Sequence, residues 1–149
     1  MPDRDLRATL ALQPQIGRTL ELHVRSVIEA GSVPVETKML CAAMAAAVNF
    51  CTPLLVEYRA AARSLGVPVD KLNDLWEFAR SDRFTPPQRA ALAAAVALSR
   101  EPRGLPATVW MQLRSSYDDG QIAEILCTIG TLNYLSRVTN AIETQGDAS

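Results

Sequence analysis

Hydrophobic residues recur along this chain at helical spacing, and no stretch shows the strict alternation that is typical of a β-strand. One apolar stripe predicts a first helix over residues 14–30, with Gly31 as its stop. The next apolar stretch, which includes MLCAAMAAAV, predicts a second helix over residues 35–50 that is apolar nearly all round. Because such a helix must be covered on every side, we expect it at the centre of the fold or in a subunit interface.

Prolines, glycines and aspartates mark the ends of the next two helices. Pro53 opens a third helix that ends near Leu65, and Gly66 follows in the C′ position. Asp70 is the predicted N-cap of a short fourth helix, whose sequence is KLNDLWEFA.

Three more helices complete the pattern. A Thr-Pro pair opens a fifth helix over residues 85–99, and residues 106–116 form a sixth. Asp118 or Asp119 caps the last and longest helix, in which these side chains are expected to be mostly buried: Ile122, Ile125, Leu126, Ile129, Leu132 and Tyr134. We therefore expect the whole chain to form a single compact all-α domain of about six or seven helices, with a flexible tail from about residue 144.

Composition and charge exclude several classes of function. Of the 149 residues, 48% are hydrophobic and 21% are charged, which is typical of a soluble globular protein. The formal net charge is −1 and the basic residues are scattered, so neither nucleic acid nor an anionic membrane is an expected partner. The chain starts without the apolar segment of a signal peptide, and its longest apolar run is too short to span a bilayer. A cytoplasmic location is therefore expected.

Three cysteines, Cys41, Cys51 and Cys127, are too few for a disulfide framework and are expected to be thiols. Cys51 lies at the start of the third predicted helix, where the helix dipole lowers the pKa of a thiol. Disulfide chemistry needs a second thiol one turn away, but Leu54 occupies that position, and Cys41 lies about 15 Å along the helix axis. Cys51 is therefore either a reactive single thiol or an inert buried side chain, and the other two cysteines are expected to be inert hydrophobes.

Glu57 and Tyr58 follow Cys51 on the same predicted helix. One face of this helix carries Cys51, Leu54, Tyr58 and Leu65. Glu57 is rotated from that face by about 100°, toward a flank. If Glu57 is partly buried, it could act as a general base, with Tyr58 as an acid or hydrogen-bond donor. The structural alternative is a solvent-exposed Glu57 and a packed Tyr58.

His23 is the only histidine, and it lies at the border of the apolar stripe of the first helix. It has no further ligands at suitable spacing, so no metal site is predicted, and either a structural role or a proton-shuttle role in a pocket is open to it. Asn133 and Asn140 on the last helix could line a pocket or satisfy backbone groups. No cofactor is predicted, since no phosphate-binding loop or nucleotide fingerprint is present.

Over residues 20–142 the chain resembles the carboxymuconolactone decarboxylase and alkylhydroperoxidase-D-like superfamily. ETKMLCAAMAAAVNFCTPLLVEYRAAARSLGV has the layout of that family's core, in which an alanine-rich helix leads into Asn-Gly-Cys-x-x-Cys-x-x-x-His and a helix that ends at Gly. FTPPQRAALAAAVALSR is similar to the family's next helix. The C-terminal pattern Asn-x-x-x-Arg-x-x-Asn-Ala is matched by Asn133, Arg137, Asn140 and Ala141. The resemblance implies the all-α fold and a homo-oligomer, as a trimer, hexamer or dimer, built on the apolar central helices.

The family's peroxidase residues are only partly present in this chain. Laid on the motif, Cys51 takes the first cysteine position, whereas Leu54 and Tyr58 replace the second cysteine and the histidine. The glutamate that would activate the thiol falls on Met39, with Glu36 about one turn too early. The resemblance therefore does not imply a working dithiol peroxidase.

Three functions remain as expectations. The first is a protein that binds or converts a small molecule, such as an organic acid or lactone, in a non-dithiol pocket between the second, third and last predicted helices. There Glu57 would be the base, Tyr58 the acid, and Cys51 part of the lining. The expected substrate-binding residues are Met39, Leu54, His23 and Asn133.

The second expectation is a single-cysteine peroxidase, in which Cys51 is oxidised to a sulfenic acid and rescued by an external thiol. The third is a non-catalytic oligomer that binds a ligand or has a purely structural role.

Overall fold

Eight α-helices and one 3₁₀ turn make up the computed structural model, which describes residues 5–144. The helices are α1 (Leu6–Ala11), α2 (Pro14–Glu29), α3 (Val35–Val48), α4 (Thr52–Ser64), α5 (Val69–Asn73), α6 (Pro86–Arg100), α7 (Ala107–Ser116) and α8 (Asp119–Glu143). The 3₁₀ turn, Leu75–Glu77, follows α5. Residues 5–144 contain no strand, which confirms the predicted all-α class. The tail that was predicted to be flexible lies almost wholly outside the described residues.

The eighth helix is α1, which the hydrophobic pattern did not predict. None of its residues is buried, so it carries no apolar stripe that could reveal it. It begins because the Asp5 carboxylate accepts a hydrogen bond from the Arg7 N–H at 2.9 Å, as an N-cap does.

The N-cap predicted for the fourth helix is wrong. α5 begins at Val69, and Pro68 precedes it as the cap with a φ of −61°. Asp70 lies inside the first turn, where its carboxylate faces the positive end of the helix dipole. Other predicted starts are confirmed, since Thr85 caps α6 and Asp118 caps α8, each through a reciprocal capping box.

α3 occupies the centre of the fold. Residues 42–46 have no exposed surface, and the helix packs against α4, α6 and α8, with α2 covering a further side. Alanine side chains allow these neighbours to approach closely, so a single chain already covers the apolar helix on every side. Burial of α3 therefore requires no subunit interface, and self-association stays a prediction.

A buried ion pair fixes the link between α2 and α3. Lys38 Nζ lies 3.1 Å from a Glu124 carboxylate oxygen on α8 and also donates to the Ala30 carbonyl at the end of α2. The same carboxylate accepts the backbone N–H groups of Ser32 and Val33, each at 2.9 Å. Desolvation of Glu124 would raise its pKa, but these hydrogen bonds and Lys38 outweigh it and lower the pKa. The link is thereby clamped to α8.

None of the helices in the described range has both the length and the apolarity that a membrane crossing requires.

Replacing Gly31 by alanine is expected to lower the free energy of unfolding more than replacing Gly66 by alanine. Both glycines have a positive φ, +87° and +94°, so each alanine costs about 1 kcal/mol in backbone strain. At Gly31 the new Cβ would overlap the carboxyl group of Glu124, whereas at Gly66 no atom of the described residues lies within 4 Å. Displacing that carboxylate from the α2–α3 link adds roughly 1–3 kcal/mol. Urea unfolding measures both losses, and equal losses would contradict the clamping role of Glu124.

Candidate functional site

Cys51 lies at the corner between α3 and α4, where the backbone of both helices holds it. Phe50 N–H donates to the Ala47 carbonyl at 3.0 Å, and Cys51 N–H donates to the Ala46 carbonyl at 2.9 Å. These are the two bonds of a Schellman motif, which ends α3. The Cys51 carbonyl then accepts the Leu55 N–H at 3.0 Å, and Cys51 is the N-cap residue of α4. Cys51 thus closes one helix and opens the next.

Phe50 occupies the left-handed position of this motif. Its φ is +54°, and among the described residues it alone combines a positive φ with a side chain. Gly66 fills the equivalent position after α4, and the family pattern Asn-Gly-Cys has glycine where Phe50 stands. The Phe50 side chain is 90% exposed, so it costs backbone strain without burying apolar surface.

Two asparagines of α8 tie this corner to the C-terminal half of that helix. Asn49 Nδ2 donates to Asn133 Oδ1 at 2.5 Å, and Asn140 Nδ2 donates to the Asn49 carbonyl at 2.8 Å. The asparagine pattern behind the family resemblance therefore fixes the corner that carries Cys51. Substrate binding by Asn133 stays a prediction, and in this structure its amide oxygen is engaged by Asn49.

The electrostatic environment of Cys51 combines opposing effects on its pKa. The side chain has no exposed surface, and this desolvation raises the pKa of the thiol. The Leu54 backbone N–H and the hydroxyls of Ser136 and Thr139 lower the pKa, while the charge of Glu143 raises it. Burial outweighs the helix N-terminus that was expected to activate the thiol, so the resting sulfur is a neutral thiol at neutral pH.

Ser136 and Thr139 form, together with Cys51, a group that we call the Cys51 cluster. Both side chains are buried, and neither hydroxyl completes a hydrogen bond of good geometry with any group in the described range. Both nevertheless lie close enough to the sulfur to lower the pKa of the Cys51 thiol. A buried hydroxyl without a partner costs about 1–3 kcal/mol. The cluster therefore holds unused hydrogen-bonding capacity beside one thiol.

These two hydroxyls were not among the predicted site residues, although the sequence carries a signal for them. The buried stripe of α8 runs at alternating spacings of three and four through Ile122, Ile125, Ile129, Leu132, Ser136 and Thr139. Polar residues at two successive positions of this stripe, which continues to Ile142, indicate a local function.

Glu57 and Tyr58 lie where helical geometry predicted them. Leu54 and Tyr58 are buried on the same side of α4 as Cys51, whereas Glu57 is exposed. Desolvation, with a further contribution from the Glu57 charge, raises the pKa of Tyr58 to about 12. Tyr58 is therefore a protonated phenol at neutral pH, and Glu57 stands in solvent. Leu65, predicted to share the face of Cys51, is exposed because it lies beyond the last turn as the C-cap.

His23 lines a surface groove between α2 and α8. Two adjoining cavities of about 360 and 370 Å³ share His23 and Cys127. His23 Nε2 lies 3.0 Å from the Thr131 hydroxyl oxygen. That hydroxyl donates its one hydrogen to the Cys127 carbonyl at 2.7 Å, so the imidazole Nε2–H must be the donor. The residues that line the two cavities do not include Cys51, Glu57 or Tyr58.

The two candidate relay residues on α3 have different surroundings. Met39 is partly buried and packs against the core. Glu36 accepts hydrogen bonds from Lys71 at 2.9 Å and from Gln88 at 3.3 Å. Glu36 and Cys51 are at opposite ends of α3, about 20 Å apart along its axis. Within the described part of the chain, no group of three or more His, Cys, Asp or Glu side chains is placed to hold a metal ion.

The three cysteines differ in exposure. Cys41 is buried in α3, and desolvation raises its pKa to about 12. Cys127, expected to be an inert hydrophobe, is exposed and lies on the outer face of α8 beside the α2–α8 groove. Tyr134, two turns further along the same outer face, was expected to be buried and is 49% exposed.

Comparison with known proteins identifies the fold. No family model matches the chain, and no curated protein matches it. Among solved structures, the debrominase Bmp8 is 24% identical with a TM-score of 0.84, over 92% of this chain and 74% of Bmp8. A protein from Agrobacterium tumefaciens described as a putative antioxidant defence protein AhpD is 20% identical with a TM-score of 0.85, over 92% of this chain and 94% of that one.

Two further structures add to this comparison. A peroxidase-related protein from Ralstonia eutropha with an alkylhydroperoxidase AhpD core is 20% identical with a TM-score of 0.76, over 93% of this chain and 78% of that one. Bmp8 has also been solved as a cysteine-to-alanine variant in complex with 2,3,4-tribromopyrrole. At these identities the likeness establishes a shared AhpD-like fold, and the family resemblance is confirmed at that level.

A disulfide reagent such as 5,5′-dithiobis(2-nitrobenzoic acid) is expected to modify one thiol of the folded protein rapidly and two slowly. Cys127 is exposed, whereas Cys41 and Cys51 are buried with raised pKa values, so both their access and their thiolate fraction are low. Cys127→Ser should remove the rapid phase, and unfolding should expose the remaining two thiols. A rapid phase that survives in Cys127→Ser would show that a buried thiol opens readily.

Phe50→Gly is expected to raise the free energy of unfolding by about 0.5–1 kcal/mol, because it removes the left-handed strain and loses almost no buried surface. Phe50→Ala is the matched control, since it removes the same exposed ring but keeps a Cβ at positive φ. Urea unfolding compares the two variants, and equal changes would rule out backbone strain as the cause.

Proposed function

We propose that this chain is a single-thiol protein of AhpD-like fold, in which Cys51 reacts with a small hydroperoxide. The observation that carries the proposal is the pair of buried hydroxyls on α8, Ser136 and Thr139, which have no hydrogen-bond partner among the described residues and act on one buried sulfur by lowering the pKa of its thiol. That sulfur belongs to a cysteine with no second thiol one turn away. Such an environment suits a sulfur that changes its oxidation state alone.

The reaction would oxidise the Cys51 sulfur and cleave the O–O bond of the hydroperoxide. Cys51–SH and ROOH give Cys51–SOH and ROH, so an S–O bond forms and the second oxygen leaves as the alcohol with a proton. An external thiol then attacks Cys51–SOH, which gives a mixed disulfide and water, and a second thiol releases Cys51–SH. The external thiols are required because Leu54 stands where a second cysteine would form an internal disulfide.

Burial sets the speed of the proposed reaction. Cys51 has no exposed surface, so a hydroperoxide reaches it only when the α3–α4 corner opens locally. The raised pKa of Cys51 also keeps the thiolate fraction small. We therefore expect a slower reaction than that of an exposed thiol with a lowered pKa.

The similar structures support a small-molecule substrate. Bmp8 is a debrominase that has been solved with a halogenated pyrrole, and the AhpD-like neighbours are described as peroxidase-related or as putative antioxidant proteins. A shared fold does not transfer an activity, so the choice of a hydroperoxide rests on the environment of Cys51.

An acid–base site built on Glu57 and Tyr58 is the second candidate function, with a small organic acid or lactone as substrate. The observation that favours it is the effect of the Glu57 charge on the Tyr58 phenol, which requires the two groups to be close together. The exposure of Glu57 weighs against it, because an exposed side chain on the helix surface is not enclosed in a site that excludes water from a substrate.

Treatment with hydrogen peroxide or cumene hydroperoxide in the presence of dimedone tests the thiol reaction. Cys127→Ser provides the background, since it removes the exposed thiol. We expect a dimedone adduct at Cys51, and its loss in Cys51→Ala, because only the sulfenic acid form of cysteine reacts with dimedone. Peptide mass mapping locates the adduct, and hydroperoxide consumption with added dithiothreitol measures turnover.

Glu57→Gln separates the two candidate functions. The Cys51 adduct persists in Glu57→Gln if the thiol is the reacting group. The absence of an adduct at Cys51 in the folded Cys127→Ser protein would overturn the thiol proposal. Lactone hydrolysis or decarboxylation that is lost in Glu57→Gln and kept in Cys51→Ala would establish the acid–base site instead.

A further inference from the structure

We infer that the hydroxyls of Ser136 and Thr139 hold the oxygen atom of a Cys51 sulfenic acid, so that the Cys51 cluster is complete in its oxidised form and incomplete as the thiol. The inference rests on the proposed function, in which Cys51–SH becomes Cys51–SOH. It adds two positioning residues on α8 and names the chemical state for which the site is built.

The burial of the two hydroxyls is the first support. Ser136 is 0% exposed and Thr139 is 5% exposed, and neither hydroxyl has a hydrogen-bond partner among the described residues. Buried polar groups are almost always hydrogen-bonded, so two that are not, next to one sulfur, require an explanation. Ser99 on α6 is a third buried hydroxyl without a partner, but it is not among the groups that act on the Cys51 thiol.

The placement of the donors is the second support. Ser136 and Thr139 are one turn apart on the buried stripe of α8, and both lower the pKa of the Cys51 thiol, as does the Leu54 N–H in the first turn of α4. A thiol sulfur is a weak acceptor, which agrees with hydroxyls that act on it without completing a hydrogen bond. An oxygen atom bonded to that sulfur would add a strong acceptor for the two hydroxyls.

The charge next to the cluster favours a neutral product. Glu143 acts on Cys51 through its negative charge and opposes an anionic sulfur. A protonated –SOH group both donates and accepts a hydrogen bond, so it can satisfy the hydroxyls without placing a second negative charge beside Glu143. The Cys51 cluster therefore fits a sulfenic acid better than a thiolate.

A long-lived sulfenic acid follows from this arrangement. Without a second cysteine within reach, Cys51–SOH must persist until an external thiol arrives. A second hydroperoxide would meanwhile add another oxygen and give the sulfinic acid with release of ROH, a product that thiols do not reduce. Hydrogen bonds to the –SOH group stabilise the sulfenic acid and thereby slow its further oxidation to the sulfinic acid.

The test compares the double variant Ser136→Ala/Thr139→Val with Ser99→Ala, both in the Cys127→Ser background. Valine keeps the branched shape of threonine and removes only the hydroxyl. Each protein is held in a fixed excess of hydrogen peroxide without added thiol, and portions are mixed with dimedone after increasing delays. Intact mass gives the fraction of Cys51–SOH that remains at each delay. We expect this fraction to decay roughly tenfold faster in the double variant, and at the parent rate in Ser99→Ala.

Thermal unfolding of the reduced proteins supplies a second readout. Removing a buried hydroxyl that has no partner should leave the Tm unchanged or raise it, in Ser99→Ala and in the double variant alike. If Ser136 and Thr139 were merely structural, the double variant would have a lower Tm and an unchanged Cys51–SOH lifetime, which would overturn the inference. If the double variant does not fold, the single variants Ser136→Ala and Thr139→Val are used instead. In each of them we expect Cys51–SOH to decay faster than in the parent, but by a smaller factor than in the double variant.

The dimedone experiment distinguishes a failure of this inference from a failure of the proposed function. Absence of Cys51–SOH in the parent at the shortest delay would overturn both. Formation of Cys51–SOH in all variants with equal lifetimes would overturn the inference alone and leave the thiol reaction in place.

Discussion

The enclosure of α3 is the constraint on which the rest of the structure depends. A helix that is apolar on every side cannot face water, so α2, α4, α6 and α8 surround it, and its alanines let them come close. For α4 to lie against α3, the chain must reverse tightly after Val48. Cys51 is the residue at that reversal, so its burial against α8 is a consequence of how the central helix is covered.

Several locally unfavourable features meet at this reversal, whereas the other helix ends described above follow the usual rules. Gly31 and Gly66 supply the left-handed backbone where α2 and α4 end, and capping boxes open α6 and α8. At the corner, by contrast, Phe50 takes a glycine conformation, a thiol has no exposed surface, and two hydroxyls of α8 have no hydrogen-bond partner within residues 5–144. Strain and unsatisfied polar groups that concentrate at one place are typical of functional sites, since folding stability alone would remove them.

The fold was largely predictable from the sequence, but the orientation of α8 was not. Helix periodicity and Pro and Gly signals located seven helices, and α1 was missed because none of its residues is fully buried. α8 is apolar on much of its circumference, so its sequence does not say which side faces the core, and Tyr134 was predicted to be buried although it lies on the outside. The partners of Cys51 came from that same helix, far away in sequence, and only the tertiary packing brings them to the thiol.

The contrast between a dithiol and a thiol flanked by hydroxyls has a chemical consequence. Oxidation of a dithiol gives an internal disulfide, which resists further oxidation and is reduced by thiol–disulfide exchange. Oxidation of a lone thiol gives a sulfenic acid, whose sulfur can be oxidised further, so the surrounding protein must stabilise this group. Hydroxyl donors suit this task because they add no charge beside Glu143, and the stability they cost in the reduced state is recovered when an oxygen acceptor is present. The unpartnered Ser136 and Thr139 are therefore more readily explained by the oxidised form of Cys51 than by the thiol form.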